Sequence, residues 1–177
     1  MDLMLKGRVA VITGPAKGMG AAITMAFAAE GARLALVGRD TAAIEPVAAQ
    51  ARTAGQEAII VPCDVTNSPQ CEHAVEATKR AYGRIDILVN VAGGSGPIGK
   101  TGVETTPQEL EDIVTLNMNG CFHTMRGVLP TMMAQRYGKI VNVGGTFGMR
   151  GRAGRMAYSA SKWGLRGITK SLSLIHI

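Results

Sequence analysis

Short apolar runs alternate with longer amphipathic stretches along almost the whole chain, and this alternation restricts the fold more than any other feature. Five runs have the length and β-branched content of buried strands, over residues 8–13, 33–37, 58–62, 85–90 and 139–143. Apolar strands separated by helices form a parallel sheet that is covered on both faces. With right-handed crossovers, the sequence predicts an α/β fold with a doubly wound parallel sheet.

The stretches between these runs predict the helices. They cover residues 19–30, 42–54, 68–82 and 107–137, and a last helix starts near residue 156. Ser68 is the predicted N-cap of the third helix, and Pro107 suits the first turn of the fourth. We expect one domain over residues 1–177, with a flexible glycine-rich loop over residues 93–102 where open α/β sheets place their ligands.

The composition argues against several classes of protein. Although the formal net charge is +6, the basic residues are scattered and aromatic residues make up only 4% of the chain, so we expect no nucleic-acid binding. The lack of a membrane-spanning run or signal segment predicts a cytoplasmic protein without a membrane partner. Cys63, Cys71 and Cys121 form no CxxC pair and have no histidine at ligand spacing. We therefore expect free buried thiols and no metal site.

A glycine-rich turn follows the first predicted strand and opens the first helix, with the spacing GxxxGxG over residues 14–20. Gly14 would permit a tight turn, Gly18 a close backbone approach to a pyrophosphate, and Gly20 close packing of the helix on the strand. The helix-terminal N–H groups around Met19 would face the phosphates. A turn that merely needs glycine is the alternative, but its place after a first strand favours dinucleotide binding.

The end of the second strand determines which dinucleotide is expected. Sites that prefer NAD place a carboxylate there, against the ribose hydroxyls, whereas this strand ends Val37-Gly38-Arg39-Asp40. Arg39 and Lys17 could together hold a 2′-phosphate through charge-assisted hydrogen bonds. We predict NADP as the cofactor. NAD is the alternative, because a shift of one residue would bring Asp40 to the acidic position.

Tyr158 and Lys162 lie four residues apart, on one face of the last predicted helix. A phenol is a weak acid at neutral pH, and a nearby ammonium group stabilises the phenolate. Such a pair is common on helix surfaces. Here it follows the fifth strand of a nucleotide-binding pattern, which favours proton transfer by Tyr158.

Together these segments resemble the short-chain dehydrogenase/reductase family, from about residue 6 to residue 171. The motifs that carry the resemblance occur in the family's order: the turn at residues 13–20, Cys63-Asp64-Val65, Asn90-Val91-Ala92-Gly93, Leu116-Asn117-Met118-Asn119-Gly120 and Tyr158-Ser159-Ala160-Ser161-Lys162. The resemblance implies a Rossmann fold and an NAD(P)-dependent oxidoreductase. It would move a hydride between NADP(H) and a secondary alcohol or ketone, and a 3-oxoacyl thioester reductase is the specific hypothesis.

The resemblance also implies roles for single residues. Asp64 and Val65 would contact the adenine, and three residues after the fourth strand would line the cofactor: Asn90, Ala92 and Gly93. Asn117 would hold the water of the catalytic lysine, while Tyr158 and Lys162 carry the acid/base chemistry. The alternative for Asn117 is a purely structural role, in which its side chain bonds the backbone at a helix kink.

One departure from the family lies next to the chemistry. The family has a serine thirteen positions before the tyrosine, where it hydrogen-bonds the substrate oxygen, and here that position is Gly145. Thr146 or a water could replace the hydroxyl, or the activity could be reduced. The alternative function is therefore a non-catalytic Rossmann protein that binds a nucleotide.

The second departure is at the end of the chain. Family members continue with further strands and a substrate lid, and residues 173–177 lack the acidic residue usual there. We expect a sheet that misses its last strands, a foreign tail over residues 173–177, and little activity in this chain by itself. For the full-length form we expect a homo-oligomer acting on a small-molecule alcohol or ketone.

Overall fold

The structure is a computed structural model that describes residues 3–175, with side chains described up to Ser173. Its five parallel strands form one sheet in the order β3-β2-β1-β4-β5. The strands are β1 (Val9–Thr13), β2 (Arg33–Gly38), β3 (Ala58–Pro62), β4 (Ile87–Asn90) and β5 (Lys139–Asn142). The helices are α1 (Gly18–Ala29), α2 (Thr41–Thr53), α3 (Ser68–Tyr82), α4 (Pro107–Val114), α5 (Gly120–Gln135) and α6 (Met156–Ile175). The predicted doubly wound α/β fold is confirmed.

The alternation of side chains along β1 builds two cores, one on each face of the sheet. Val9 and Val11 belong to the core that packs against α3, α5 and α6. Ala10 and Ile12 belong to the core on the side of α1 and α2. Since successive strand residues point to opposite faces, an apolar run without alternation is what a sheet covered on both sides requires.

The helix expected over residues 107–137 is interrupted. α4 begins with a capping box, in which Thr106 and Glu109 exchange backbone and side-chain hydrogen bonds. A π-helical turn, Thr115–Asn119, then separates α4 from α5, and α5 ends at Gln135 because Arg136 adopts the left-handed conformation with φ 52°.

Two terminal details also differ from the sequence predictions. The N-cap of α3 is Asn67 and not Ser68, because the Asn67 side chain accepts the Gln70 backbone N–H. α6 continues through Ile175, so the start of the segment predicted to be foreign is helical. His176 and Ile177 lie outside the described residues, and the origin of that segment stays a prediction.

The strand register brings distant segments to one edge of the sheet. Thr13 is level with Val37 on one side and with Asn90 on the other, and Asn90 is level with Asn142. Because the strands are parallel, the residues that follow each of them meet at the carboxyl edge. Ligands of open α/β sheets bind at this edge.

Candidate active site

A cleft of about 360 Å³ opens at the carboxyl edge, between the segments that follow β1, β2, β3 and β4. It brings together most of the residues predicted to bind the cofactor: Gly14, Lys17, Arg39, Asp64, Val65, Ala92 and Gly93. Gly18, Met19 and Gly20 lie in the first turn of α1 beside it, whereas Asn90, Tyr158 and Lys162 do not line this cleft.

The turn between β1 and α1 depends on two of its glycines. Gly14 has a φ of 66°, and a Cβ there would come within 2.9 Å of the Ala92 backbone. A Cβ on Gly20 would overlap the Gly14 carbonyl oxygen. No described side chain caps α1, whose N-cap is Lys17, and its first turn carries no acidic residue. The N–H groups of this turn therefore suit an anion such as a pyrophosphate.

At the end of β2, the two candidate residues for the ribose are used differently. The Asp40 side chain caps α2, with Oδ1 accepting the Ala43 N–H at 3.0 Å, so one of its two oxygens is engaged by the helix. The Arg39 side chain is 72% exposed, and its Nη1 lies 3.8 Å from Asp64 Oδ2 across the cleft. The segment after β2 thus brings both an exposed guanidinium and a capping carboxylate to the cleft.

Asp64 lines the cleft opposite Arg39. Burial by itself raises the pKa of this carboxyl, but two hydrogen bonds from Thr66 and the nearby Arg39 guanidinium outweigh it and hold the pKa below its usual value. Asp64 is therefore a carboxylate that accepts hydrogen bonds. Its Oδ1 takes both Thr66 donors, at 2.9 and 2.8 Å.

Asn90 is placed differently from the prediction. Its side chain is buried, with Nδ2 donating to Asn142 Oδ1 at 2.9 Å and Oδ1 accepting from the Thr124 hydroxyl at 2.8 Å. These bonds join β4 to β5 and α5 below the cleft. The backbone that follows Asn90 is held by Thr13, whose hydroxyl oxygen accepts the N–H groups of Val91 and Ala92.

The predicted acid/base pair lies on α6. Lys162 is 7% exposed, its Nζ donates to the Val143 carbonyl at 2.9 Å, and it lies 5.9 Å from the centre of the Tyr158 ring. Burial lowers the pKa of Lys162 from its ordinary value, and nearby Cys121 opposes this only in part. A lysine that gives up its proton more easily can take part in a proton relay.

Asn117 lies inside the π-helical turn and is fully buried. Its Oδ1 accepts the Gly94 N–H at 2.8 Å, and its Nδ2 donates to the Gly94 carbonyl and to Ser161 Oγ. The side chain therefore clamps the loop after β4 to α6, next to Tyr158 and Lys162. Asn117 thus occupies the helix irregularity and bonds the residue before Lys162, and its catalytic role stays a prediction.

Gly145 faces the tyrosine. A Cβ built on Gly145 would lie 2.9 Å from the Tyr158 hydroxyl oxygen, which is its nearest neighbour. The φ of Gly145 is 178°, extended backbone that any residue adopts. The position that carries a serine in the family thus points at the phenol here also, while Thr146 is an exposed residue at the start of a short 3₁₀ turn.

A residue near the site that sequence reasoning missed is Arg155. Its guanidinium carbon lies 4.7 Å from the centre of the Tyr158 ring, and its Nη2 donates to the Ser95 carbonyl at 3.1 Å. The signal that could have found it is its spacing, because residues three apart share a helix face.

Other features of the described residues bear on the remaining expectations. The three cysteines are free and buried, with Cys63 and Cys71 sulfurs 3.8 Å apart, and burial raises the pKa of the Cys121 thiol to about 11. Within residues 3–175 there is no cluster of three or more side chains suited to a metal ion. In the same part of the chain, every helix is too short or too polar to span a bilayer.

Comparison with known proteins identifies the class. The profile described as short chain dehydrogenase matches residues 8–176, so the chain belongs to the short-chain dehydrogenase family. It is 34% identical over 168 residues to the uncharacterized oxidoreductase YxjF of Bacillus subtilis, covering 94% of this chain and 64% of that protein. The chain thus spans slightly less than two thirds of this relative.

The chain is also similar to a named reductase and to proteins of solved structure. The 3-oxoacyl-(acyl-carrier-protein) reductase FabG of Thermotoga maritima is 34% identical, over 96% of this chain and 68% of that protein. A metagenomic short-chain oxidoreductase in complex with NADP superposes with a TM-score of 0.90 at 35% identity, covering 95% of this chain and 76% of the other. NAD⁺-bound xylitol dehydrogenase gives 0.92 at 32% identity, covering 97% and 66%.

Proposed function

We propose that this protein is an oxidoreductase that transfers a hydride between NADP(H) and a secondary alcohol or ketone. The observation that carries the proposal is the pairing, at one edge of the sheet, of an uncapped helix start over residues 14–20 with Lys162, which donates to the Val143 carbonyl just after β5 and lies beside the Tyr158 ring. When bound, the dinucleotide supplies the hydride. The protein's own residues bind it, orient the substrate and move the proton.

Three groups along the cleft suit parts of a phosphorylated dinucleotide. The uncapped first turn of α1 suits the pyrophosphate, and the Asp64 carboxylate can accept a hydrogen bond from an adenine amino group. Arg39 supports NADP, because its side chain is 72% exposed with only a 3.8 Å ion pair to Asp64. A guanidinium in that state can exchange a loose carboxylate for a closely bound 2′-phosphate.

In the proposed reaction Tyr158 holds or receives the proton of the substrate oxygen. Lys162 is the neighbouring relay group, and the Asn117 clamp on Gly94 keeps the loop after β4 against α6. A water held beside Asn117 would pass the proton from Lys162 toward solvent. Since NADP-bound and ketoacyl-reducing proteins are among the relatives, a 3-oxoacyl compound is the first substrate to test.

Binding of the two reduced cofactors tests the cofactor part of the proposal. Titrating NADPH and NADH against the protein by fluorescence should show tighter binding of NADPH. Arg39→Ala should weaken NADPH binding about tenfold to a hundredfold, as expected when a hydrogen bond between charged groups is lost, and should leave NADH binding unchanged. Arg126→Ala is a matched control, because Arg126 is an exposed arginine paired with Glu72 on α3. Equal binding of both cofactors, unaffected by Arg39→Ala, would contradict the NADP preference.

The second candidate is a nucleotide-binding protein without catalysis, and Gly145 is the observation that favours it. The two candidates differ in turnover, because only the first oxidises NADPH in the presence of ketones. If NADPH binds and a panel of 3-oxo compounds gives no oxidation above the Tyr158→Phe background, the non-catalytic function is preferred.

A further inference from the structure

Arg155 places a cation on the face of the tyrosine that the proposed reaction uses. It precedes Tyr158 by three residues, at the start of α6, and its guanidinium carbon is 4.7 Å from the Tyr158 ring centre and 6.0 Å from the Phe147 ring centre. The two rings meet edge to face, with centres 6.2 Å apart. The guanidinium is thus held at a fixed place beside the phenol.

The hydrogen-bonding capacity of this guanidinium is largely unused. Its Nη2 donates to the Ser95 carbonyl at 3.1 Å, while its Nε is buried and has no acceptor among the residues that the structure describes. No carboxylate of residues 3–173 lies within 4.0 Å of it. A planar fork with five N–H donors is suited to a carboxylate, and the described part of the chain supplies none.

The surroundings of Arg155 are positively charged as well. The segment 149–155 contains Arg150, Arg152 and Arg155 and no acidic residue, and the facing loop 93–102 contains Lys100 and no acidic residue. The two segments touch through a hydrogen bond from Gly99 N to the Gly154 carbonyl. Lys100 is neutralised by Glu109, which leaves the arginines of the segment 149–155 to attract an anion toward Arg155 and Tyr158.

The geometry points to Arg155 as the residue that binds a carboxylate of the substrate, so that the substrate class is the short oxo and hydroxy acids. This inference rests on the proposed function, because it takes Tyr158 to face the reacting oxygen. The Arg155 guanidinium faces the ring that carries the Tyr158 hydroxyl. A substrate that contacts both groups must therefore have its carboxylate and its carbonyl only a few bonds apart, as in a 2-oxo or 3-oxo acid. Among 3-oxoacyl compounds, the free acid is then a better ligand than an ester or a thioester.

Acetoacetate and methyl acetoacetate form a matched pair of probes, since they share the ketone and differ in the charge. Binding is measured with NADP⁺ present, because the oxidised cofactor and a ketone cannot react, and again without cofactor. Calorimetry or the fluorescence of Trp163, the only tryptophan, gives the dissociation constants. We expect acetoacetate to bind at least about ten times more tightly than the ester, the range of one charge-assisted bidentate contact.

Three variants test whether Arg155 is responsible. Arg155→Gln should abolish the preference for the acid, and Arg155→Lys should keep part of it because the charge remains. Arg152→Gln is the control: its guanidinium lies over the Phe147 ring at 5.1 Å and not over Tyr158, so the preference should persist. A merely structural role for Arg155 would change thermal melting and affect both probes equally. If Arg155→Gln does not fold, the comparison of acid and ester in Arg155→Lys and in the unaltered chain decides.

The two proposals fail in different ways. If the protein binds NADP⁺ but binds the acid and the ester equally, the carboxylate site is overturned and the proposed function stands. The same holds if the preference for the acid persists in Arg155→Gln. A preference for the acid that depends on Arg155, in a protein that does not bind NADP⁺, supports the carboxylate site and contradicts the proposed function. Failure of both probes to bind overturns the carboxylate site.

Discussion

In the full-length form of the protein, replacing Gly145 by serine should raise the rate of ketone reduction. The ideal Cβ at this position lies 2.9 Å from the Tyr158 hydroxyl oxygen, so a serine side chain would stand directly beside the phenol. The extended backbone of Gly145, with φ 178° and ψ 158°, accepts any residue. The substitution therefore adds a hydroxyl to the site without straining the chain.

The size of the effect follows from two opposing contributions. A Cβ at 2.9 Å is closer than Cβ contacts normally come, so the hydroxyl end of Tyr158 must retreat by a few tenths of an ångström. Its ring is held between Phe147 and Arg155, which makes this movement unfavourable but small. A donor aimed at the developing negative charge of the substrate oxygen is worth about 10²–10³ in rate. We expect Gly145→Ser to react about ten to a hundred times faster than the matched variant Gly145→Ala.

Gly145→Ala is the decisive control, because alanine makes the same contact with Tyr158 but brings no hydroxyl. Single-turnover oxidation of NADPH by acetoacetate, at saturating cofactor, measures the chemical step for both variants. Equal rates for serine and alanine would refute the reasoning that the site lacks a donor at this position. A loss of rate in Thr146→Val would then assign the role to the Thr146 hydroxyl.

Three further predictions concern the buried polar groups. Tyr158→Phe should reduce turnover by about 10²–10⁴ with cofactor affinity unchanged; a variant that keeps more than a tenth of the rate would place the acid elsewhere. Because the pKa of Lys162 is lowered in the folded protein, the unfolded chain binds more protons between that lowered pKa and 10.5, and stability should rise with pH in this window. Urea unfolding should show that Lys162→Met removes this rise, whereas Lys170→Met, exposed on the same helix, does not. Burial raises the pKa of Asp86, but bonds from Arg84 and Val9 outweigh it and lower the pKa; stability should therefore fall as the pH drops below 3.8 through that lowered value. Asp86→Asn should lose this acid dependence and about 1.5–3 kcal/mol of unfolding free energy at neutral pH, the range of a hydrogen bond to a charged group.

The sheet could be predicted because its signal is local and repeated. All of β1 and the four central residues of β2 are buried, so the runs are almost entirely apolar, and their length distinguishes them from helices. The parallel arrangement then follows from the helices between them. Strand ends were less predictable. β4 starts at Ile87 and not at residue 85, because the Asp86 side chain accepts the Val9 N–H at that level.

Features that depend on a partner far along the chain could not be predicted in the same way. Thr115–Asn119 has an ordinary helical composition, yet the extra residue of a π-turn is inserted where Asn117 bonds Gly94, 23 residues away. The choice of Asn67 over Ser68 as N-cap is a similar case. Both residue types cap helices well, and the backbone that precedes α3 decides between them.

The two halves of the candidate site therefore differ in how much of them a sequence can reveal. The glycine turn is a local feature. A Cβ on Gly20 would overlap the carbonyl oxygen of Gly14, six residues earlier, so the spacing of the two glycines is itself the signal. The catalytic half is assembled by long-range contacts, Asn117 to Ser161 over 44 residues and Arg155 to Ser95 over 60. Such contacts depend on how α6 packs against the loop after β4, which no short motif encodes. The carboxylate site proposed above belongs to this second half, and Arg155, which carries it, has no motif in the sequence that would have singled it out.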